Sequence, residues 1–86
     1  MLILLDDIKL NDSGVFFGYI NQSFKDKEIF TLDALYDYLT ETENEIEFII
    51  NDFDDVTPEG RDFANDVMKL LLDVRTQNDK ITVTMF

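Results

Sequence analysis

The sequence contains no cysteine and no histidine. Without cysteine the chain forms no disulfide, thiolate nucleophile, iron–sulfur cluster or zinc–thiolate site. Without histidine it lacks the commonest general base and the commonest imidazole metal ligand. Basic residues are scarce: seven Lys and Arg stand against nineteen Asp and Glu, a net charge of −12 over 86 residues. Such a field repels nucleic acid and anionic membrane and attracts basic surfaces. Direct DNA or RNA binding, which wants a basic patch, is not expected. Long hydrophobic runs are missing too. Met1 to Leu5 is apolar and Asp6 ends it. That is short for a secretory signal and far below the roughly 20 apolar residues of a membrane span. A cytoplasmic protein is the expectation.

What is present suits one small globular domain over residues 1–86, with an apolar share of 45%. Leu2–Leu5 reads as a buried strand. Asn11-Asp12-Ser13-Gly14 reads as a turn or helix start. Val15–Phe24 places Phe17, Ile20 and Phe24 at helical spacing, while Gly14 and Gly18 leave a strand open. Lys25–Glu28 is a charged connection. Thr31 can cap a helix whose stripe is Leu32, Leu35 and Leu39. Glu41–Glu45 reads as a loop. Ile46–Ile50 is a second strand, central because it is mostly apolar. Thr57-Pro58 offers a cap and a first helical position for a helix with Phe63, Val67, Leu70, Leu71 and Val74 on one face. Ile81–Met85 is a β-branched final strand. The order β-α-α-β-α-β implies right-handed crossovers and an α/β fold, a small, mainly parallel three-stranded sheet packed with helices.

Three places could carry chemistry. Opposite the leucine stripe, Asp33, Tyr36, Asp37 and Thr40 recur at i, i+3, i+4 and i+7. By spacing alone this is more often a solvated polar face; its alternative is a binding surface in which an aromatic supplies area and carboxylates steer. Asp66 and Asp73, with Lys69 between them, share a face of the last helix and would extend such a surface if the two helices adjoin. The loop Asn51–Thr57 is the best enzyme candidate. Its Asp52-x-Asp54, following an apolar strand, looks like the first motif of haloacid-dehalogenase-type phosphatases, which use such a pair with Mg²⁺. The chain is too short for that fold and few basic residues follow, so a polar capping loop is the simpler reading. A calcium loop lacks the required alternation, central Gly and terminal Glu. Asp12-Ser13-Gly14 differs from the Asp-Ser-Leu attachment site of acyl carrier proteins, and Ser13 and Ser23 have no histidine to activate them.

The stretch Leu32-Asp33-Ala34-Leu35-Tyr36-Asp37-Tyr38-Leu39-Thr40 resembles the barstar family of ribonuclease inhibitors, whose helix follows Leu-Asp-Ala-Leu-Trp-Asp-x-Leu-Thr. A second likeness runs from Val67 through Leu71, Asp73 and Arg75 to Lys80-Ile81-Thr82-Val83. The resemblance implies a barstar-like fold and a non-enzymatic inhibitor that needs no cofactor or metal and is a monomer when free. Its partner would be a basic ribonuclease or ribonuclease-type toxin. Asp37 would stand in for substrate phosphate, Asp33 would be a second anchor, and Tyr36 would supply stacking area in place of tryptophan. Thr40 would make a rim contact, and Asp73 would pair with a basic residue. The family's tyrosines and glycine before this helix are replaced by Lys27-Glu28-Ile29-Phe30, and its Gly-Trp after Thr40 by Glu41-Thr42. Two alternatives stand beside it: an acidic immunity or adaptor protein for a non-ribonuclease toxin, and a small Mg²⁺-dependent phosphatase using Asp52 and Asp54.

Overall fold

The computed structural model describes residues 1–25 and 27–86; Asp26, within the charged connection expected at Lys25–Glu28, lies outside them. Three strands, β1 (Leu2–Leu5), β2 (Ile46–Ile50) and β3 (Ile81–Met85), form one parallel sheet in the order β1-β2-β3. Helices α1 (Asp7–Asn11), α2 (Ser13–Ser23) and α3 (Leu32–Glu41) fill the first crossover, and α4 (Arg61–Gln77) fills the second. Among the described residues no helix is long and apolar enough to cross a membrane.

The strand order steps twice in the same direction. Two crossovers of one hand therefore land on one face of the sheet. Ile3, Leu5, Ile46, Phe48, Ile50 and Ile81 point into that covered face and are buried. The other face stays open, which corrects the expectation of a fully buried first strand: Leu2 is 55% and Leu4 44% exposed. Glu47 and Thr82 share the open face.

The ambiguous stretch Val15–Phe24 is helical as far as Ser23, within α2, and a short helix that the order β-α-α-β-α-β did not include, α1, precedes it. Asp6 caps α1 by accepting from the Lys9 N–H at 3.1 Å. Asp12 caps α2, its Oδ1 accepting from Gly14 N at 2.7 Å. The candidate attachment serine, Ser13, is thus the first residue of α2 behind a cap. Gly18 does not break the helix, because Phe16, Phe17 and Ile20 are buried on its apolar face. Burying such side chains contributes about 1.5–3 kcal/mol each, against the roughly 0.5–1 kcal/mol a mid-helix glycine costs. Phe16 and Phe17 meet Phe63 of α4 edge-on, with ring centroids 5.4 and 6.1 Å apart.

The last helix starts later than Thr57-Pro58 suggests. Residues Thr57–Gly60 form a turn, and α4 begins at Arg61. Thr57 caps that turn, its Oγ1 accepting from the Gly60 N–H at 3.3 Å, while its own N–H donates to Asn11 Oδ1 at 2.7 Å. Gly60 is pressed against the end of α1, where a Cβ would lie 2.7 Å from the Asn11 Cα and carbonyl oxygen. Glycine is needed there for close approach, since its φ is an ordinary −90°.

Candidate protein-binding face on α3 and α4

Thr31 starts α3 as the sequence suggests, its Oγ1 accepting from the Ala34 N–H at 3.1 Å. Leu35 and Leu39 are fully buried and Leu32 partly so. This anchoring turns Asp33 and Asp37 to solvent. The helix runs through Glu41, one residue into the stretch expected as loop. Asp33, Asp37 and Glu41 thus stand at i, i+4 and i+8, a row of exposed carboxylates. Each like-charge pair at this spacing costs about 0.2–0.5 kcal/mol. No basic residue occupies the last turn to offset the helix dipole. The buried leucines outweigh these penalties.

The neighbouring helix completes the face. Gln77 of α4 donates from Nε2 to the Tyr36 hydroxyl, and its contact with Asp73 Oδ2 is 3.4 Å. Asn78 donates from Nδ2 to the carbonyls of Leu39 and Thr42, both at 2.9 Å, which ties the end of α3 to the end of α4. The Tyr36 phenol is held above its ordinary pKa of 10.0. The first cause is its hydrogen bond to the Asp73 carboxylate, followed by partial burial and the negative charges of Asp73 and Asp37, while the Gln77 donor opposes them. Gln77 thus links the Tyr36 hydroxyl of α3 to the Asp73 carboxylate of α4, and the exposed Asp37 follows Tyr36 on α3.

The site residues read from the sequence fare differently. Asp33, Asp37 and Asp73 are exposed. Tyr36 is not the free aromatic the spacing suggests: it is half-buried and packs against the core. Thr40 turns its hydroxyl back onto its own helix, donating to the Tyr36 carbonyl at 2.9 Å. Asp66 is exposed two turns before Asp73. Gln77, Asn78 and Glu41 were not singled out by sequence. Gln77 carries no pattern that marks it, Asn78 reads as an ordinary turn residue, and Glu41 needed only one more helical residue.

The second candidate, Asp52 to Asp55, sits at the C-terminal end of β2. Asp52 adopts a left-handed conformation, φ 59°, and Phe53–Asp55 forms a short 3-10 turn. Asp52, Asp54 and Asp55 point into solvent. Among the described residues no group of three or more carboxylates converges as a metal site. No protein-family model matches the chain, and no curated protein matches it.

Proposed function

We propose that the α3–α4 face binds a basic protein, and that the chain is a barstar-like inhibitor occluding the active site of a basic ribonuclease or ribonuclease-type toxin. The observation that carries this reading is the junction of α3 and α4 at Gln77, which touches both the Tyr36 hydroxyl and the Asp73 carboxylate and so sets Asp73 beside the helix that exposes Asp33 and Asp37. Among the described residues none of these carboxylates is in an ion pair. A ribonuclease active site gathers Arg and Lys to hold phosphate, and carboxylates satisfy the same donors bidentately. Asp37 is the central plug, Asp33 the second anchor, and Asp73 the contribution of α4. Tyr36 supplies area and holds Asp73 in place, and Thr40 lies at the rim. No catalytic step and no cofactor enter this mechanism, which operates in the cytoplasm.

Glu41 favours a second reading. It adds a third carboxylate where the resembled family has glycine, and so fits a target whose basic surface extends further along α3. An acidic immunity protein for a toxin other than a ribonuclease would carry such an extension.

The test is capture of a partner from the source cell by wild type and by Asp37→Ala, followed by inhibition of any ribonuclease recovered. Asp37 lies opposite the leucine stripe, so the variant should keep its circular dichroism and thermal midpoint. Partner affinity should fall by about 3–5 kcal/mol, because an enzyme cation is left buried and unpaired. Capture undiminished by Asp37→Ala would sink the proposal, and capture of a basic protein without nuclease activity would select the second reading.

A further inference from the structure

Each outer strand of the sheet turns one set of backbone groups away from β2. On β1, the Glu47 N–H donates to Met1 O and the Asn51 N–H to Leu5 O, so Met1, Ile3 and Leu5 face β2 and Leu4 faces outward. Both backbone groups of Leu4 are taken. Its N–H donates to the Tyr19 hydroxyl at 3.0 Å, and Lys9 Nζ donates to its carbonyl at 3.0 Å. The Lys9 ammonium also sits 4.0 Å from the centroid of the Tyr19 ring. A strand arriving here has to displace an aromatic and a lysine, and lysine is a common guard on sheet edges.

The β3 edge is open. The Ile46 N–H donates to Lys80 O and the Phe86 N–H to Ile50 O, so residues 80, 82, 84 and 86 face β2 and Ile81, Val83 and Met85 face outward. The Ile81 N–H is taken by Asn78 O at 3.1 Å. The Ile81 carbonyl, and the N–H and carbonyl of Val83 and Met85, have no partner among the described residues. The strand Ile-Thr-Val-Thr-Met has no charge and no proline, and its register with β2 is unbroken. Ile81 and Val83 lie on the covered face, Thr82 and Thr84 on the open one. Carboxylates gather at both ends of this strand. At its start, Glu45, Glu47 and Asp79 share a concavity with Lys80 and with Met1, whose ammonium donates to the Glu45 carbonyl at 2.9 Å. At its end, Asp52, Asp54 and Asp55 share another with the exposed Met85 and Phe86, and no cation lines it.

We propose that the β3 edge takes an extended segment of a partner protein as a fourth strand, a segment with β-branched residues at its centre and arginine or lysine at its ends. In strand addition the main-chain bonds supply affinity and the alternating side chains supply selectivity. Here the free groups of Ile81, Val83 and Met85 supply the bonds. An apolar residue opposite Val83 continues the covered face, and threonine or valine opposite Thr82 and Thr84 makes a favourable cross-strand pair. Charge defines the ends of the segment. With carboxylates at both ends of β3, basic ends are matched whichever way the segment runs. Arginine suits them best, because its planar fork meets a carboxylate through two bonds. The five residues of β3 span about 17 Å, so a segment of about seven residues sets a cation at each end. A second copy of this chain fits poorly, since its own edge would bring carboxylates to carboxylates. The inference does not rest on the ribonuclease reading: none of these residues belongs to the face formed by Asp33, Tyr36, Asp37 and Asp73.

The probe is the peptide Arg-Val-Thr-Val-Thr-Val-Arg, acetylated and amidated at its ends and titrated into the whole chain. Backbone amide shifts and hydrogen exchange are the readouts. The Val83 and Met85 amides should shift and gain protection, with a dissociation constant below about 1 mM. The same peptide ended by glutamate should bind at least about tenfold more weakly. Val83→Pro removes an N–H that the β2 ladder does not use, and should weaken binding at least about tenfold. Thr82→Lys, at an exposed edge position, should do the same and keeps the test open if the proline variant fails to fold. Asp54→Lys combined with Asp55→Lys should reduce the preference for the arginine-ended peptide. Asp37→Ala should bind it as wild type does, which separates this edge from the α3–α4 face. Three results would overturn the proposal. One is Val83 and Met85 amides unmoved at about 1 mM peptide. Another is shifts confined to α3 and α4, the mark of a basic peptide on an acidic surface in general. The third is protection of the two amides that rises with protein concentration before peptide is added, which would put a second copy on the edge.

Discussion

At the scale of single residues, Tyr36 joins fold and candidate site. Its position one turn before Thr40 put it on the polar stripe, yet a tyrosine at the margin of a stripe can turn its ring inward and leave only its hydroxyl at the surface. It does so here, because α4 brings Asp73 and Gln77 to that hydroxyl. No spacing rule within α3 contains the partner helix, which is why this tether was not legible in the sequence while the exposure of Asp33 and Asp37 was. The raised phenol pKa has a consequence for stability. Between 10.0 and the higher folded-state value, the unfolded chain has lost the phenol proton and the folded chain retains it. The folded state then binds more protons, so stability falls as pH rises through this window, and the contribution is whole below pH 10.0. Urea titrations of wild type and Tyr36→Phe from neutral pH upward should show the wild type losing stability more steeply above that pH. Equal slopes for the two proteins would mean that the Tyr36–Asp73 bond does not form in solution.

At the scale of elements, the boundaries legible in the sequence are those set by strong local chemistry. The strands Leu2–Leu5, Ile46–Ile50 and Ile81–Met85 have the bounds their apolar and β-branched runs suggest, and Thr31 caps α3. Where two glycines interrupt an apolar run, local propensity was ambiguous and tertiary burial decided for helix in α2. Where Thr57-Pro58 gave a strong helix start, Thr57 caps a single turn through Gly60 that is tied to Asn11, and α4 begins three residues after the proline, at Arg61. Two glycines should therefore respond oppositely to alanine. Gly18 lies within α2, and an added methyl there would meet nothing within 4 Å, so Gly18→Ala should stabilise by about 0.5–1 kcal/mol. Gly60→Ala drives a methyl into the Asn11 backbone, which cannot rotate away as a side chain could, and should destabilise by about 1–3 kcal/mol. Chemical denaturation of both variants checks the signs; a neutral Gly60→Ala would show that the junction of α1 and α4 is not tightly packed.

At the scale of the whole molecule, charge and topology set what the chain can meet. The order of apolar strands was enough to read a parallel sheet, but not that both crossovers share one face, because an apolar residue on an open face looks the same in sequence as one in the core. Leu2 and Leu4 are the cost of that ambiguity. The excess of acid was legible from composition, and its distribution over α3 and α4 emerged only when Tyr36, Gln77 and Asn78 brought those helices together. One field of −12 predicts two opposite salt dependences. Within the chain, the carboxylates repel one another, so added salt should raise the thermal midpoint by screening that repulsion. Between the chain and a basic partner, the same field accelerates encounter, so the association rate should fall as the Debye length shrinks from about 30 Å at 0.01 M salt to about 8 Å at 0.15 M. Stopped-flow association and thermal melts over one salt series measure both. Asp37→Ala should reduce the salt dependence of association only modestly, since steering belongs to the summed charge, while it shortens the lifetime of the complex, since the contact belongs to the residue. A rate independent of salt would remove steering from the account even if the acidic face still forms the contact.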